Sequence, residues 1–313
     1  MTQSLRLGTR RSALALAQSG LIAQALTDAT GRPVELVETT TFGDVSRAAL
    51  AQIGGTGVFV NALRDALLAG QIDLAVHSLK DLPTAEPEGL SLAAVPERED
   101  VRDVLIGRDG FKFADLPPGA RIGTGSPRRA AQLRLLRADV EIVPIRGNVD
   151  TRIGYVTGGS LDAVVLAYAG LSRLDRIGEA TDFFDPTALL PAPGQGALAV
   201  ECRETDLELV RLLGAALDHG PTREAVEAER ALLAALEAGC SAPVGGYAVV
   251  AERELVLNAA VTEEAAAAND GVAAPRSIRM SATGPADEAA GIGRELALRM
   301  LAVGAAGLMG KQS

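Results

Sequence analysis

The order of apolar and polar residues divides the chain into two regions with different repeats. In the N-terminal two-thirds, short apolar runs alternate with segments of helical period, which is typical of β-α-β units and a largely parallel sheet. Beyond residue 218, a long helical pattern is followed by segments in which apolar and polar residues alternate, as in antiparallel strands. The pattern therefore predicts an α/β protein with a small C-terminal α+β domain.

The individual elements follow from these repeats and from the turn residues between them. Predicted strands cover 5–8, 34–37, 72–76, 121–123, 140–145 and 163–167, and predicted helices cover 12–26 and 58–68. In the C-terminal region, helices at 222–238 and 287–301 flank strands at 247–250, 254–262 and 277–282. A charged cluster at 97–100 and a proline- and glycine-rich segment at 191–196 mark crossings between domains. We predict a discontinuous first domain (1–97 and 195–217), a second (98–194) and a third (218–313).

Polar residues of scarce types follow the predicted strand 72–76. His77 is one of two histidines, Lys80 is one of three lysines, and Asp81 adds a carboxylate directly after it. In open α/β sheets, ligands bind beyond the carboxyl ends of the strands. This segment is therefore a candidate site, although a solvated strand end would also explain it.

Composition and charge narrow the class of protein. Hydrophobic residues make up 48% of the chain and aromatic residues 3%, which predicts a core of Ala, Leu and Val. The formal charge of −10 argues against nucleic acid or an anionic membrane as the main partner. No apolar segment resembles a secretory signal or is long enough to span a bilayer, so we expect a cytoplasmic protein. No motif predicts a metal site, and the two distant cysteines, Cys202 and Cys240, are expected to be free thiols.

Positive charge is concentrated in one part of this acidic chain. Residues 121–176 contain nine arginines and five acidic residues. Arg128 and Arg129 follow Ser126 and Pro127, which suit the cap and first turn of a helix. A helix N-terminus offers free N–H groups and the positive end of a dipole, so we predict an anion site there.

The arginines favour a carboxylate ligand but leave a phosphate possible. The planar guanidinium fork matches a carboxylate better than the compact ammonium group of lysine does. Gly123 and Gly125 begin a pattern that could belong to a dinucleotide-binding turn. That fingerprint requires a third glycine for close packing of helix and sheet, and Arg128 stands at its position. A dinucleotide site is therefore disfavoured.

Seven short segments, spread over nearly the whole chain, form an ordered series of motifs: Gly8–Ser12, Gly54–Phe59, Val76–Pro83, Gly123–Arg129, Ile145–Val149, Pro193–Ala197 and Gly239–Gly245. Together and in this order, they resemble the motifs of the porphobilinogen deaminase (hydroxymethylbilane synthase) family. The resemblance implies two doubly wound α/β domains of the periplasmic-binding-protein type and a C-terminal α+β domain.

The resemblance also implies an activity. Such enzymes join four porphobilinogen molecules head to tail with loss of ammonia and then release hydroxymethylbilane. They carry a dipyrromethane primer on a cysteine thioether, and Cys240 stands at that position. Asp81 corresponds to the catalytic carboxylate, and Lys80 would neutralise part of its charge or hold an acid group of the substrate. A monomer acting on small molecules is implied.

The resemblance assigns binding roles to further residues. Cofactor contacts are implied for Ser78, Lys80, Asp81, Thr124, Ser126, Arg128, Arg129, Arg146 and Gly147. Substrate contacts are implied for Arg10, Ser12, Phe59, Arg146, Arg152, Arg173 and Gln195. The chain departs from the family where basic residues are usual, since it has Phe42, Gln52, Thr56 and Asn61 instead. This loss of charge predicts weaker electrostatic closure over the growing product.

Two alternatives from other classes remain open from the residues themselves. A non-catalytic binder of small anions could use the same two-lobed fold and helix ends, but it would not need Asp81 or Cys240. An acyl- or phosphoryl-transfer enzyme could use Cys240 as a nucleophile, yet no motif places His77 or His219 beside it. Outside the resemblance, Cys202 and Cys240 are interpreted as small buried hydrophobic residues.

Overall fold

The computed structural model describes residues 4–39, 57–239, 242–263 and 275–309. The chain divides into two compact units, Met1–Glu99 with Ala197–Arg223, and Asp100–Gly196 with Glu224–Ser313. Each unit is therefore built from two separate stretches of sequence. The finer division into three domains stays a prediction.

The described residues form these helices: α1 (Ala13–Thr30), α2 (Gly57–Leu68), α3 (Pro127–Leu136), α4 (Val149–Thr157), α5 (Tyr168–Ser172), α6 (Leu207–Leu217), α7 (Gly220–Ala235), α8 (Ala289–Ala302) and α9 (Ala305–Leu308). They form these strands: β1 (Leu5–Thr9), β2 (Val34–Glu38), β3 (Leu74–Ser78), β4 (Leu90–Ala94), β5 (Asp103–Gly107), β6 (Arg121–Thr124), β7 (Glu141–Pro144), β8 (Ala163–Ala167), β9 (Asp182–Phe183), β10 (Leu198–Arg203), β11 (Val244–Ala251), β12 (Glu254–Thr262) and β13 (Ser277–Pro285).

The first unit contains a five-stranded sheet in the order β2-β1-β3-β10-β4. Strands β1, β2 and β3 run parallel, whereas β10 is antiparallel to both β3 and β4. On one face, Leu74 and Val76 pack with Ile22 of α1 and Leu213 of α6. On the other face, Ala75 packs with Leu63 of α2. Helices thus cover both faces, and the carboxyl end of β3 lies in the middle of the sheet.

The second unit contains a sheet of the same size, in the order β7-β6-β8-β5-β9. Strands β6, β7 and β8 run parallel, and β5 is antiparallel to β8. Leu133 of α3 packs against one face, and Ile153 of α4 packs against the other. The N-termini of α3 and α4 therefore follow the carboxyl ends of neighbouring strands, where ligands bind in such folds.

A smaller antiparallel sheet in the order β11-β12-β13 completes the second unit. Its buried residues, among them Leu255 and Leu257 of β12, pack against Leu232 of α7 and Leu296 of α8. The alternation of partly buried and exposed residues in β13 agrees with the polar–apolar alternation in its sequence. Helices α7 and α8 therefore cover one face of this sheet.

The predicted class, two α/β sheets followed by an α+β region, is confirmed. The expectation of a largely parallel sheet needs correction, because β4, β5, β9 and β10 bring antiparallel pairings into the larger sheets. The sequence pattern predicted none of these four strands. In the part of the chain described, no helix has the length and apolar character needed to cross a membrane.

Candidate active site

The segment after β3 forms a tight turn that presents Lys80 and Asp81. Leu79–Asp81 is a single turn of 3-10 helix. The backbone N–H of Leu79 donates to the carbonyl of Ala197 at 3.0 Å, and that of Leu82 donates to the carbonyl of Leu79 at 3.1 Å. Leu79 is fully buried, whereas Lys80 and Asp81 are partly exposed. A buried leucine and backbone bonds to the β10 side of the sheet therefore fix the turn, and the charged side chains stay accessible.

The hydroxyl of Ser78 is oriented by a residue that sequence reasoning missed. Nε2 of Gln18, in α1, donates to Oγ of Ser78 at 2.9 Å. Gln18 is 6% exposed, so this bond is shielded from water. The signal in the sequence was a glutamine on the side of α1 that also carries the buried Ile22.

Two predicted residues of the first unit lie at the end of β1. Oγ of Ser12 accepts a hydrogen bond from the N–H of Ala15 at 3.3 Å and caps α1, as its position after the strand predicts. Arg10 precedes the cap and is partly buried. Phe59 lies in the first turn of α2.

A buried carboxylate lies on β10, the strand that pairs with β3. Glu201 of β10 is 1% exposed. It accepts hydrogen bonds from Nη2 of Arg64 at 2.6 Å and from Nε of Arg64 at 3.0 Å. Nε2 of His77 lies 3.2 Å from Oε2 of Glu201, the oxygen that also accepts from Nε of Arg64. His77 therefore has a specific buried partner in Glu201, which the sequence pattern alone did not reveal.

The pKa of Glu201 reflects two opposing effects. Burial alone would raise it, because removal from water disfavours the charged form. The neighbouring side chains of His77 and Arg64 outweigh burial and lower the pKa of Glu201 to about 2. Glu201 is therefore ionised at neutral pH and stays with its partners.

The helix α3 begins as its sequence predicts. Oγ of Ser126 accepts a hydrogen bond from the N–H of Arg129 at 3.4 Å, and Pro127 is the first helical residue. Thr124, the last residue of β6, is 3% exposed, and its Oγ1 accepts from the N–H of Ser126 at 3.2 Å. These contacts fix the strand-to-helix turn that carries the two arginines.

The side chains of Arg128 and Arg129 converge on Asp103, the first residue of β5. Nη2 of Arg128 donates to Oδ2 of Asp103 at 2.7 Å, and Nη2 of Arg129 donates to Oδ1 at 2.7 Å. Arg128 also donates from Nη1 to the carbonyl of Leu190, and Arg129 from Nη1 to the carbonyl of Val165. The exposed fractions of the three charged residues are 3%, 5% and 0%. We call these three residues the arginine–aspartate cluster.

The cluster retains one unbalanced positive charge. Burial would raise the pKa of Asp103, but the two guanidinium groups outweigh it and hold the pKa well below its usual range. Burial lowers the pKa of Arg128, and Arg129 adds to this effect, while Asp103 opposes it. Nε of Arg128 is buried without a hydrogen-bond partner among the described residues. A buried donor of this kind favours an anionic ligand, since an unmet hydrogen bond from a charged group is costly.

Arg146, Gly147 and Arg152 lie where β7 passes into α4. Nε of Arg152 donates to the carbonyl of Gly147 at 2.8 Å, and Gly147 has φ 114°, which an L-residue rarely adopts. A Cβ on Gly125 would lie 2.5 Å from the carbonyl oxygen of Ile145 and 4.0 Å from Nη2 of Arg152. The glycines thus let two strand ends approach each other, with Arg152 beside the turn before α3.

Two further predicted residues lie at the return segment. Nη2 of Arg173 donates to the carbonyl of Gly196 at 2.6 Å. Gln195 is 1% exposed, and its Nε2 donates to Oδ1 of Asp103 at 2.8 Å and to the carbonyl of Val101 at 2.7 Å. Gln195 is thereby joined to the arginine–aspartate cluster.

Cys240 lies outside the described residues, but the strand that follows it is well packed. A Cβ on Gly245 would lie 2.7 Å from Cβ of Leu190 and 3.2 Å from Nε2 of Gln132. The N–H of Gly246 donates to the carbonyl of Pro191 at 2.9 Å. Residues shortly after Cys240 are therefore attached to the same segment that accepts a hydrogen bond from Arg128.

Cys202 is a buried thiol within the first unit, as its interpretation as a small hydrophobic residue predicts. It is 0% exposed and packs with Leu74 and Val200. Burial raises the pKa of its thiol to about 11. The thiol is therefore protonated at neutral pH and poorly nucleophilic.

Family models match most of the chain. The model described as "Porphobilinogen deaminase, dipyromethane cofactor binding domain" matches residues 5–211, and "Porphobilinogen deaminase, C-terminal domain" matches residues 223–302. Porphobilinogen deaminase 1 of Streptomyces coelicolor is 59% identical over 99% of this chain and 99% of the relative. Porphobilinogen deaminase of Thermobifida fusca is 59% identical over 97% of this chain and 95% of the relative.

Similarity to solved structures is more distant. The periplasmic VFT2 domain of BvgS from Bordetella pertussis is 18% identical, with a TM-score of 0.41, over 68% of this chain and 86% of that one. A periplasmic binding protein of Salmonella typhimurium with high arginine specificity is 15% identical, with a TM-score of 0.39, over 69% and 92% of the two chains.

Proposed function

Because the chain belongs to the porphobilinogen deaminase family, we propose that it is a hydroxymethylbilane synthase. It condenses four porphobilinogen molecules head to tail, with loss of ammonia at each step, and then releases hydroxymethylbilane by hydrolysis. Cys240 would hold a dipyrromethane cofactor, which would supply the pyrrole carbon to which the first substrate is joined. The alternatives of a non-catalytic anion binder and an acyl- or phosphoryl-transfer enzyme have no comparable support.

The arginine–aspartate cluster is the observation that carries this proposal. It lies within residues 5–211, which match the cofactor-binding domain of the family. Its two buried guanidinium groups face a single carboxylate, and Nε of Arg128 has no partner among the described residues. A group bearing acetate or propionate side chains fits this surplus of charge and donors. Thr124 and Ser126 add hydroxyl groups at the same turn.

Asp81 is the proposed catalytic carboxylate. Loss of ammonia leaves an electron-poor substrate, and attack by a pyrrole places further positive charge on ring nitrogens. A fixed carboxylate near those N–H groups stabilises the developing charge and can accept a proton. The turn Leu79–Asp81 supports this role, because backbone hydrogen bonds fix it and leave Asp81 accessible. Lys80, its neighbour, holds an acid group of cofactor or substrate.

The remaining predicted residues bind the acid side chains of cofactor and substrate. Arginine suits this task, because each guanidinium can donate two parallel hydrogen bonds to one carboxylate. Ser78, oriented by Gln18, adds a hydroxyl beside the catalytic turn. Phe59 is proposed to contact the pyrrole rings. The arginines and their neighbours in this role are Arg10, Ser12, Arg146, Gly147, Arg152, Arg173 and Gln195.

We further propose a monomeric, cytoplasmic enzyme in which 1–97 with 195–217, 98–194 and 218–313 form three domains. The negative formal charge of −10 supports the absence of nucleic acid and anionic membranes among its partners. The separate C-terminal sheet, with its own buried core, supports a third domain that carries Cys240.

The intact mass of the purified protein tests the proposal. We expect the full-length chain to carry the added mass of dipyrromethane, and Cys240→Ser to lack both the added mass and activity. Cys202→Ser serves as the matched control and should keep the cofactor, because Cys202 is buried. An active protein with an unmodified Cys240 would refute the proposed attachment, and a cofactor retained by Cys240→Ser would place it elsewhere.

A further inference from the structure

The arginine–aspartate cluster contains a carboxylate where an anion-binding site would be expected to contain only positive charge. Oδ1 of Asp103 accepts from Nε of Arg129 at 3.1 Å and from Nη2 of Arg129 at 2.7 Å, as well as from Gln195. Oδ2 accepts from Arg128 at 2.7 Å. Asp103 is 0% exposed and its pKa is held well below the usual range, so its negative charge is permanent at neutral pH.

The cluster nevertheless keeps free capacity for one more anion. Each guanidinium has five N–H donors. The bonds of Arg128 to Asp103 and Leu190 leave its Nε unpartnered among the described residues. Two guanidinium charges against one carboxylate leave a surplus of one positive charge. One carboxylate of a ligand would balance it, whereas a doubly charged phosphate would leave a surplus of negative charge in a buried place.

Repulsion between Asp103 and a second negative charge is large at this depth. Two unit charges about 5 Å apart, at an effective dielectric constant of about 20, repel strongly enough to change a binding constant more than tenfold. Burial weakens screening by salt, so the effect persists at ordinary ionic strength. The charge of Asp103 therefore lowers the affinity for a doubly charged ligand more than the affinity for a singly charged one. The guanidinium groups themselves bind carboxylates and phosphates alike.

We infer that Asp103 is a specificity-determining residue that makes the cluster select a singly charged carboxylate over a doubly charged phosphate. This inference rests on the proposed function, because it takes the cluster as the place where an acid group of the cofactor binds. Asp103 also keeps both guanidinium groups and the amide of Gln195 in one arrangement. Asp103 hydrogen-bonds to Arg128 and Arg129 and affects ligand binding through these two arginines.

Anion binding to the full-length chain tests the inference. Cys240→Ser leaves the cluster open to added anions, and isothermal titration calorimetry at fixed ionic strength measures binding of acetate and inorganic phosphate. We expect acetate to bind more tightly than the phosphate dianion. Adding Asp103→Asn should raise the affinity for phosphate relative to acetate by about tenfold or more. An unchanged ratio, or absence of binding of either anion to Cys240→Ser, would overturn the inference.

Matched variants separate charge from shape. Asp103→Glu, which keeps the charge, should keep the preference for acetate. Asp139→Asn removes a carboxylate bonded to Arg137 on the surface of the same unit and should leave the ratio unchanged. A shift of the same size in Asp139→Asn would show a general effect of protein charge and refute a role specific to Asp103.

A pH series covers the case in which Asp103→Asn does not fold. With Asp103 intact, phosphate should bind more weakly as pH rises through its second ionisation, while acetate binding stays constant. Stronger phosphate binding at the higher pH would refute the inference. A cofactor retained by Cys240→Ser would instead refute the proposed attachment site, and the anion ratio would then be measured on cofactor-free wild-type chain.

Discussion

The guanidinium of Arg64 holds the carboxylate of Glu201 through two hydrogen bonds, at 2.6 Å from Nη2 and 3.0 Å from Nε. Arg64 belongs to α2 and Glu201 to β10, so the pair joins a helix to the strand beside β3. His77, at 3.2 Å from Glu201, lies in the strand that leads to Lys80 and Asp81. Through His77, this buried pair is therefore connected to the strand that leads into the turn Leu79–Asp81.

Substitution of Glu201 by glutamine should destabilise the protein. The exposed fraction of the Arg64 side chain is 12%, so loss of its partner leaves a poorly solvated charge. Removing one partner of a buried pair costs on the order of 3 kcal/mol. Urea unfolding of wild type and Glu201→Gln measures the difference, and Glu35→Gln, in exposed β2, should behave as wild type. An equal loss in both variants would contradict this account.

The same pair predicts how stability depends on pH. The pKa of Glu201 is about 2 in the folded protein, below its ordinary value of 4.5. A lowered pKa means stability that is present above the unfolded value and lost as pH falls towards the folded value. The free energy of unfolding should therefore fall between about pH 5 and pH 2, and less steeply in Glu201→Gln. Parallel curves for the two proteins would contradict the assignment.

Replacement of Asp81 by asparagine should abolish charge stabilisation without unfolding the turn. Backbone hydrogen bonds and the buried Leu79 form the turn, so stability and cofactor content should stay unchanged. Loss of one group that stabilises developing charge lowers kcat by about 10²–10³-fold. Steady-state kinetics and intact mass measure both effects. Asp28→Asn, at an exposed position of α1, is the control, and a wild-type kcat in Asp81→Asn would assign catalysis to another residue.

A methyl group at Gly245 should loosen the attachment of the C-terminal sheet. Its Cβ would lie 2.7 Å from Cβ of Leu190 and 3.0 Å from the carbonyl oxygen of that residue, which is closer than packing allows. Overpacking of this kind costs about 1–3 kcal/mol. Gly245→Ala should therefore lower the melting temperature and the cofactor content. Gly291→Ala, in α8 with nothing within 4 Å of its Cβ, should be neutral or stabilising.

The thiol of Cys202 should be unreactive in the folded protein. It is 0% exposed, and burial raises its pKa to about 11, so almost no thiolate forms at neutral pH. With Cys240 bound to the cofactor, a chromogenic thiol reagent should detect no fast reaction before unfolding and one thiol per chain afterwards. Rapid modification of the native enzyme at Cys202 would contradict its burial.

Restoring positive charge before α2 should strengthen substrate binding. The resemblance predicts basic residues at the positions of Gln52 and Thr56, both of which lie outside the described residues. We expect Gln52→Lys and Thr56→Lys to lower KM or to speed elongation, as measured by turnover at several substrate concentrations. Kinetics identical to wild type in both variants would refute the predicted weak closure.

Local patterns in the sequence predicted the caps, the turns and most strands. Ser12 and Ser126 cap helices that follow strands, because capping depends only on neighbours in the chain. The ordered series of seven segments indicated the family, and with it Asp81 and Cys240. Caps, turns and motifs of this kind can be predicted without knowing which residues from distant parts of the chain come into contact.

The tertiary structure alone revealed the partners that balance buried charge. Asp103 is 25 positions from Arg128, and Glu201 is 137 positions from Arg64, so no local repeat connects them. Asp103 begins an apolar strand and Glu201 interrupts one. The role of each acid becomes clear only from the arginine that contacts it in the folded protein. The sequence determined which side chains could bind an anion, and the packing of distant strands decided how much positive charge they retain.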